Sequence, residues 1–246
     1  VSEEQDTAFN KDHFEAIYPV GVERHYWNRC RYQVIADVLR SSGAEGPILE
    51  IGCGKGLVVA DLRDRGFDAT GVELAVVDAL DHMKDHVTTG SDAMMMDDVF
   101  AATVRTILLL DVIEHIEDPK GFLAAIRRKF PAVRHVICSV PARQELFSNF
   151  DRFNGHFRRY DLPTLRAHMD PEGVRTWNGG YFFHALYPAA AVQLRFSGAR
   201  RPYFSVPAKG PSSWIHAVLG ALFHLEYKLL PASWRGTSII AVSTEP

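Results

Sequence analysis

The chain has 246 residues, 47% of them hydrophobic and 23% charged, enough for one large core. Its 27 basic and 30 acidic residues leave a net charge of −3, and its basic clusters are short: Arg127-Arg128-Lys129, Arg158-Arg159 and Arg200-Arg201. That balance excludes a broad phosphate-binding surface, and so nucleic acid as a partner. Cys30, Cys53 and Cys138 are odd in number and include no CxxC pair, which excludes a disulfide framework and a cysteine zinc site; residues 1–10 are acidic and polar, without a signal-peptide pattern. The expectation is a cytoplasmic protein.

Apolar and aromatic residues at helical spacing over residues 14–40, stopped by Ser41-Ser42-Gly43, predict an N-terminal helical cap. Residues 48–52 then read as a buried strand that runs straight into Gly52-Cys53-Gly54-Lys55-Gly56. Glycines on alternate positions let the backbone turn sharply and bring amide N–H groups close to a ligand at a helix start. The spacing GxGxG is neither the dinucleotide GxGxxG nor the phosphate-loop GxxxxGK[ST].

Alternation continues with a helix over 56–66, strand 69–73, helix 76–86, a third strand near Asp92-Ala93, strand 105–111, helix 119–129 and strand 134–140. A run as apolar as Thr106-Ile107-Leu108-Leu109-Leu110 suits a strand buried on both faces, as in a parallel sheet covered by helices. A polar, aromatic loop to Tyr160, a short helix from Pro163 and a strand over 174–183 follow. The last run, 237–244, pairs with 174–183. The fold class is α/β: a doubly wound, mostly parallel seven-stranded sheet, with an N-terminal helical cap and a helical insertion before the last strand. As one domain, it divides into a cap (1–45), a core (46–183), an insertion or lid (184–236) and the last strand (237–246).

The insertion is too long for a plain connection and holds two candidate helices, 184–196 and 212–230. The second is amphipathic and shorter than a bilayer span; it is read as core packing, as a homodimer face, or as a surface for peripheral membrane contact.

The turn from Glu50, Gly71-Val72-Glu73-Leu74 after the second strand, Asp92-Ala93, and the run Leu108 to Pro119 (LLLDVIEHIEDP) together resemble the class I S-adenosylmethionine-dependent methyltransferases, over residues 26–160. The resemblance implies S-adenosylmethionine as cofactor and S-adenosylhomocysteine as product. Gly52, Gly54 and Gly56 would hold its methionine part and ribose, and Glu50 would brace the loop and lie near the sulfonium. A carboxylate at Glu73, beside Leu74, can accept both ribose hydroxyls. Asp92 and the Ala93 amide would read adenine, with Asp97 a competitor and helix capping the plain alternative for both aspartates. Tyr26 and Trp27 would fold over the cofactor and Arg31 take its carboxylate, unless the aromatics are simply core. Asp111 and His115 stand at the carboxyl end of the fourth strand, where open α/β sheets place ligands.

Residues 151–160 (DRFNGHFRRY) resemble the D-x-x-x-G-H-x-R-R-Y element of a methyltransferase subgroup associated with glycan, lipid and secondary-metabolite pathways. This implies a small-molecule, glycan or lipid-linked acceptor met by Asp151, His156, Arg158, Arg159 and Tyr160. His156 or His115 would be the base for a hydroxyl nucleophile; a carboxylate nucleophile would need only Arg158 or Arg159. The alternative is a structural clasp in which one arginine pairs with Asp151 or Asp161 and His156 bonds a backbone carbonyl. No metal site is expected, because His82 and His86 form the single i,i+4 histidine pair and no acidic ligand cluster accompanies them. Competing functions are a non-catalytic cofactor-binding or membrane scaffold, an aminopropyl transferase and a nicotinamide oxidoreductase.

Overall fold

A computed structural model describes residues 18–199 and 206–246. Residues 14–17 of the expected N-terminal helix and Arg200-Arg201 lie outside them, and over 18–25 that helix does not form: only a 3₁₀ turn at Val22–Arg24 stands there, entered through Gly21 at a positive φ. Helix α1 spans Tyr26–Ser41, its first turn capped by the His25 ring, which accepts from the Trp27 amide. It buries Cys30, Val34, Ile35 and Leu39 against the sheet and ends at Ser42, with Gly43 beyond at a positive φ.

Strand β1 (Ile48–Ile51) leads through the glycine turn to α2 (Leu57–Asp64) and β2 (Ala69–Glu73). The helix expected over 76–86 does not form. Only a 3₁₀ turn at Asp81–Met83 appears there, because Met83 alone of that turn is buried and the Leu80 amide donates to the Lys55 carbonyl, drawing the segment out along the glycine turn. Without an apolar stripe a helix has nothing to bury. Strand β3 is Val87–Thr89, so Asp92-Ala93 lies just past it.

A short α3 (Asp98–Ala101) precedes β4 (Thr106–Leu110), which is buried throughout. His115, four residues past Asp111, does not open the next helix. It closes a 3₁₀ turn, Ile113–His115, instead, since Asp118 caps α4 (Pro119–Lys129) with Pro119 in the first turn and three basic residues in the last. Strand β5 (His135–Pro141), α5 (Asn149–Phe153), α6 (Leu162–Met169) and β6 (Thr176–Phe182) follow. Helices α7 (Leu186–Ser197) and α8 (Pro211–Leu229) fill the connection to β7 (Ser238–Thr244).

The sheet order is β3-β2-β1-β4-β5-β7-β6, with β7 antiparallel to both neighbours and the other pairs parallel. The expected pairing of the last two strands is present, and β7 also fills the gap between β5 and β6. Along β4, Ile107 and Leu109 enter one core while Leu108 and Leu110 enter the other, the signature of a sheet covered on both faces. Helix α8 packs on α1 through His216, Gly220 and Phe223, and a Cβ at Gly220 would meet the Arg29 Cβ at 2.9 Å. Its other face is turned outward: Trp214, Ile215, Val218, Leu222, Leu225 and Leu229 are each more than half exposed. Among the described residues no helix is long and apolar enough to cross a membrane.

Candidate active site

A cavity of about 720 Å³ opens at the carboxyl ends of β1, β2, β4 and β5, a size that suits a nucleoside-bearing cofactor with part of an acceptor. A second cavity of about 890 Å³ lies between the 18–24 segment, α2 and α8, but it lacks Glu50, Glu73 and the β4 loop.

The glycine turn shapes the floor of the first. Gly52, Gly54 and Gly56 all hold positive φ (79°, 55° and 85°). A Cβ at Gly52 would meet Val112 Cγ2 at 2.8 Å, and one at Gly54 would meet the Tyr18 hydroxyl at 2.7 Å, so side chains are barred by space as well as by conformation. Glu73, at the end of β2, accepts from the Gly54 amide through Oε2 and from the Ala75 amide through Oε1, both at 2.9 Å. Leu74, Ser91, Asp92 and Ala93 continue that wall. Asp92 also caps its own turn by accepting from the Met94 amide, whereas Asp97 accepts from Val99 and Phe100 at the start of α3, outside the cavity.

Tyr26 and Trp27 line the cavity from α1. Arg31, one turn further on, lies over the Trp27 ring at 5.0 Å and pairs with Asp111 at 2.7 Å. Asp111 holds a φ of 59°, a strained value for a residue with a side chain and one that recurs at functional sites. Arg31 Nε and Glu50 Oε2 are buried without hydrogen-bond partners. Burial pushes the Glu50 carboxyl up to about 8, with the Arg31 cation opposing and the Glu73 and Asp111 charges adding.

His115 and His156 meet edge to face in the same cavity, ring centroids 4.7 Å apart. Asp151, fully buried, bonds His156 Nδ1 at 2.9 Å, takes Arg159 Nε at 2.7 Å and accepts the Ser148 amide. Although burial opposes ionisation, His156 and Arg159 hold the Asp151 carboxyl down to about 2. Packing, and then His156, lower His115 to about 3, so it stays neutral and is a feeble base at neutral pH. Asp151 thus holds Arg159 and the His156 ring at once. Arg159 reaches the cavity edge but is spent on Asp151 and the Ala142 carbonyl. Two expectations are corrected: Arg158 donates to the Glu117 carbonyl and Tyr160 is buried with its hydroxyl on the Ile113 carbonyl, so neither lines the cavity. Tyr160 is held in the core by its bridge to Ala142, and Arg158 is drawn away toward the Glu117 carbonyl.

One residue that spacing alone did not single out is Glu114, fully buried with neither carboxylate oxygen bonded. Burial, followed by the Asp111 charge, keeps it well above the usual carboxylate range. Its sequence signal was a glutamate beside His115 in a turn that ends a wholly buried strand. Leu186, Ala190 and Gln193 of α7 also reach the cavity, which places part of the insertion over the site.

The family model described as a methyltransferase domain matches residues 25–177, more than half of the chain. The chain belongs to this methyltransferase family. Its cofactor is S-adenosylmethionine, and the residues present fit it: a glycine turn that tolerates no side chains, a carboxylate ending β2, and the unpartnered Arg31 Nε and Glu50 Oε2. A ubiquinone biosynthesis O-methyltransferase of Cereibacter sphaeroides is 29% identical over 131 residues, 47% of this methyltransferase and 53% of the relative, so the match spans about half of that protein. The fold is shared with phosphoethanolamine N-methyltransferase 2 of Haemonchus contortus solved with S-adenosylmethionine (TM-score 0.56, 17% identity, 98% of this chain and 57% of that one). It is also shared with magnesium protoporphyrin IX methyltransferase of Synechocystis solved with S-adenosylhomocysteine (TM-score 0.54, 13% identity, 96% and 93%). Family membership sets aside the nicotinamide oxidoreductase.

Proposed function

We propose that this methyltransferase moves the methyl group of S-adenosylmethionine to a hydroxyl oxygen of a small-molecule, glycan or lipid-linked acceptor. The observation that carries the reading is His156: its Nδ1 is held by Asp151, which directs the other ring nitrogen at the cavity shared with the glycine turn and Glu73. A hydroxyl nucleophile suits this wall better than a carboxylate one, because Arg158 and Arg159 are both engaged elsewhere. The curated relative is by name an O-methyltransferase, which supports oxygen as the receiving atom.

When bound, the cofactor supplies a methyl carbon on a cationic sulfur, open to in-line displacement. Arg31 offers the cofactor's carboxylate a cation already pre-set by Asp111 and Trp27. Glu73 exchanges its bonds to the Gly54 and Ala75 amides for ribose hydroxyls. His156 receives the acceptor's hydroxyl, and the α7 residues with Tyr26 and Trp27 keep water out. The outward apolar face of α8 favours an acceptor that resides in or on a membrane.

The test pairs calorimetry with turnover on hydroxylated lipids and phenols. His156→Ala should bind S-adenosylmethionine as the parent does and lose transfer by about 10²-fold or more. Equal loss of cofactor binding would remove His156 from the acceptor side, and no transfer to any hydroxyl acceptor alongside tight cofactor binding would favour the non-catalytic scaffold.

A further inference from the structure

Glu114, His115 and His156 each offer one ligand atom, and these atoms all lie within 4.8 Å of one another. Ligands about 2.1 Å from a metal stand roughly 3.4 Å apart in tetrahedral geometry and up to roughly 4.2 Å across an octahedron. The trio is therefore within small side-chain rotations of a coordination sphere. Three further features point to a ligand. The Glu114 carboxylate is wholly buried and neither of its oxygens has a hydrogen-bond partner, a costly arrangement unless something positive arrives. His156 has the outer partner that metal-bound histidines commonly have: a carboxylate on Nδ1, itself fixed by Arg159 and the Ser148 amide. The two ligand-bearing segments are also stitched together, the Phe157 amide donating to the Glu114 carbonyl at 2.9 Å.

We propose that Glu114, His115 and His156 form a binding site for a divalent transition-metal ion in the wall of the methyl-transfer cavity. Two imidazoles and one carboxylate select zinc, manganese, iron(II) or cobalt over magnesium or calcium, which prefer oxygen throughout. Three protein ligands leave positions open toward the cavity, where an acceptor oxygen could complete the sphere. With the ion bound, the His156 nitrogen that faces the cavity is a ligand and the ion takes its place in meeting the acceptor's hydroxyl; that role rests on the methyl-transfer reading, and the binding itself does not. Sequence spacing conceals the site because its ligands come from two loops 41 residues apart.

The experiment uses the full chain, stripped with a chelator and titrated with cobalt(II) chloride without S-adenosylmethionine, while visible absorption is followed. One equivalent should bind and develop ligand-field bands. Glu114→Gln and His115→Gln should abolish the bands, and Asp151→Asn should weaken binding by roughly 10–100-fold. The variant His86→Gln, outside the cavity, should leave them unchanged, and thermal melting checks that each variant is folded. Absent bands, or bands that persist in folded Glu114→Gln and His115→Gln, overturn the site, as does their loss in His86→Gln. Cofactor binding is titrated in parallel. Normal S-adenosylmethionine binding with no cobalt binding removes the metal and leaves the methyl-transfer reading standing; cobalt binding with no cofactor binding does the reverse.

Discussion

The chemistry of Glu50 is set by its surroundings rather than by its sequence neighbours. A carboxyl held near 8 in the folded chain, against an ordinary value of 4.5, binds its proton more tightly folded than unfolded. Its contribution to stability is thus complete below about 4.5 and disappears as pH rises through about 8. Glu50→Gln should melt with the parent at pH 5 and several degrees above it at pH 8.5; parallel melting curves at both pH values would show that the carboxyl is not protonated in the fold. Burial pushes the Glu73 carboxyl up as well, but the Ala75 and Gly54 amides that donate to it oppose the shift. Replacement of Glu73 by alanine should weaken S-adenosylmethionine at least tenfold in calorimetry, since hydrogen bonds to charged groups contribute about 1.5–3 kcal/mol each. That both glutamates face the cavity was legible from their places beside the glycine turn and at the end of β2. The placement of Arg158 was not, because neighbouring arginines look alike until Tyr160 is pinned into the core.

Among the elements, the glycine turn and α8 allow the sharpest tests. Gly54→Ala asks a φ of 55° of a residue with a Cβ and drives that atom onto the Tyr18 hydroxyl. We expect a loss of about 1–2 kcal/mol in stability, read by urea unfolding, and a larger loss in cofactor affinity. Helix α8 should carry the chain onto vesicles through its outward face, and Leu222→Glu with Leu225→Glu should leave the protein in the supernatant of a co-sedimentation assay. Unchanged sedimentation would assign that face to another partner. Buried strands were readable from composition: residues 107–110 are all apolar and Thr106–Leu110 is buried throughout. The stretch 76–86 misled because its charges and single buried methionine sit at spacings a helix could accept, while what decides its course is a backbone bond to Lys55, a contact no local pattern encodes.

For the whole molecule, cofactor binding should act as a fold-wide brace, since the cavity draws on α1, the β1, β2 and β4 loops, and α7. S-adenosylmethionine at a hundredfold excess over its Kd adds about 2.7 kcal/mol, which for a chain of this size should raise Tm by roughly 5–10 °C. An unmoved Tm would mean that the cavity does not hold it. The family resemblance reached the mostly parallel seven-stranded sheet and the pairing of its last two strands; the Glu114, His115 and His156 grouping was invisible because it exists only once the loops after β4 and β5 converge. The position of β7 governs how the molecule comes into being. It follows every other strand in the chain yet lies between β5 and β6, so β6 has no sheet partner until residues 238–244 arrive. During synthesis β1 to β5 can assemble early, while β6 and the two helices after it wait on a nascent edge, exposed to aggregation and to chaperones, until the last-made strand closes the gap.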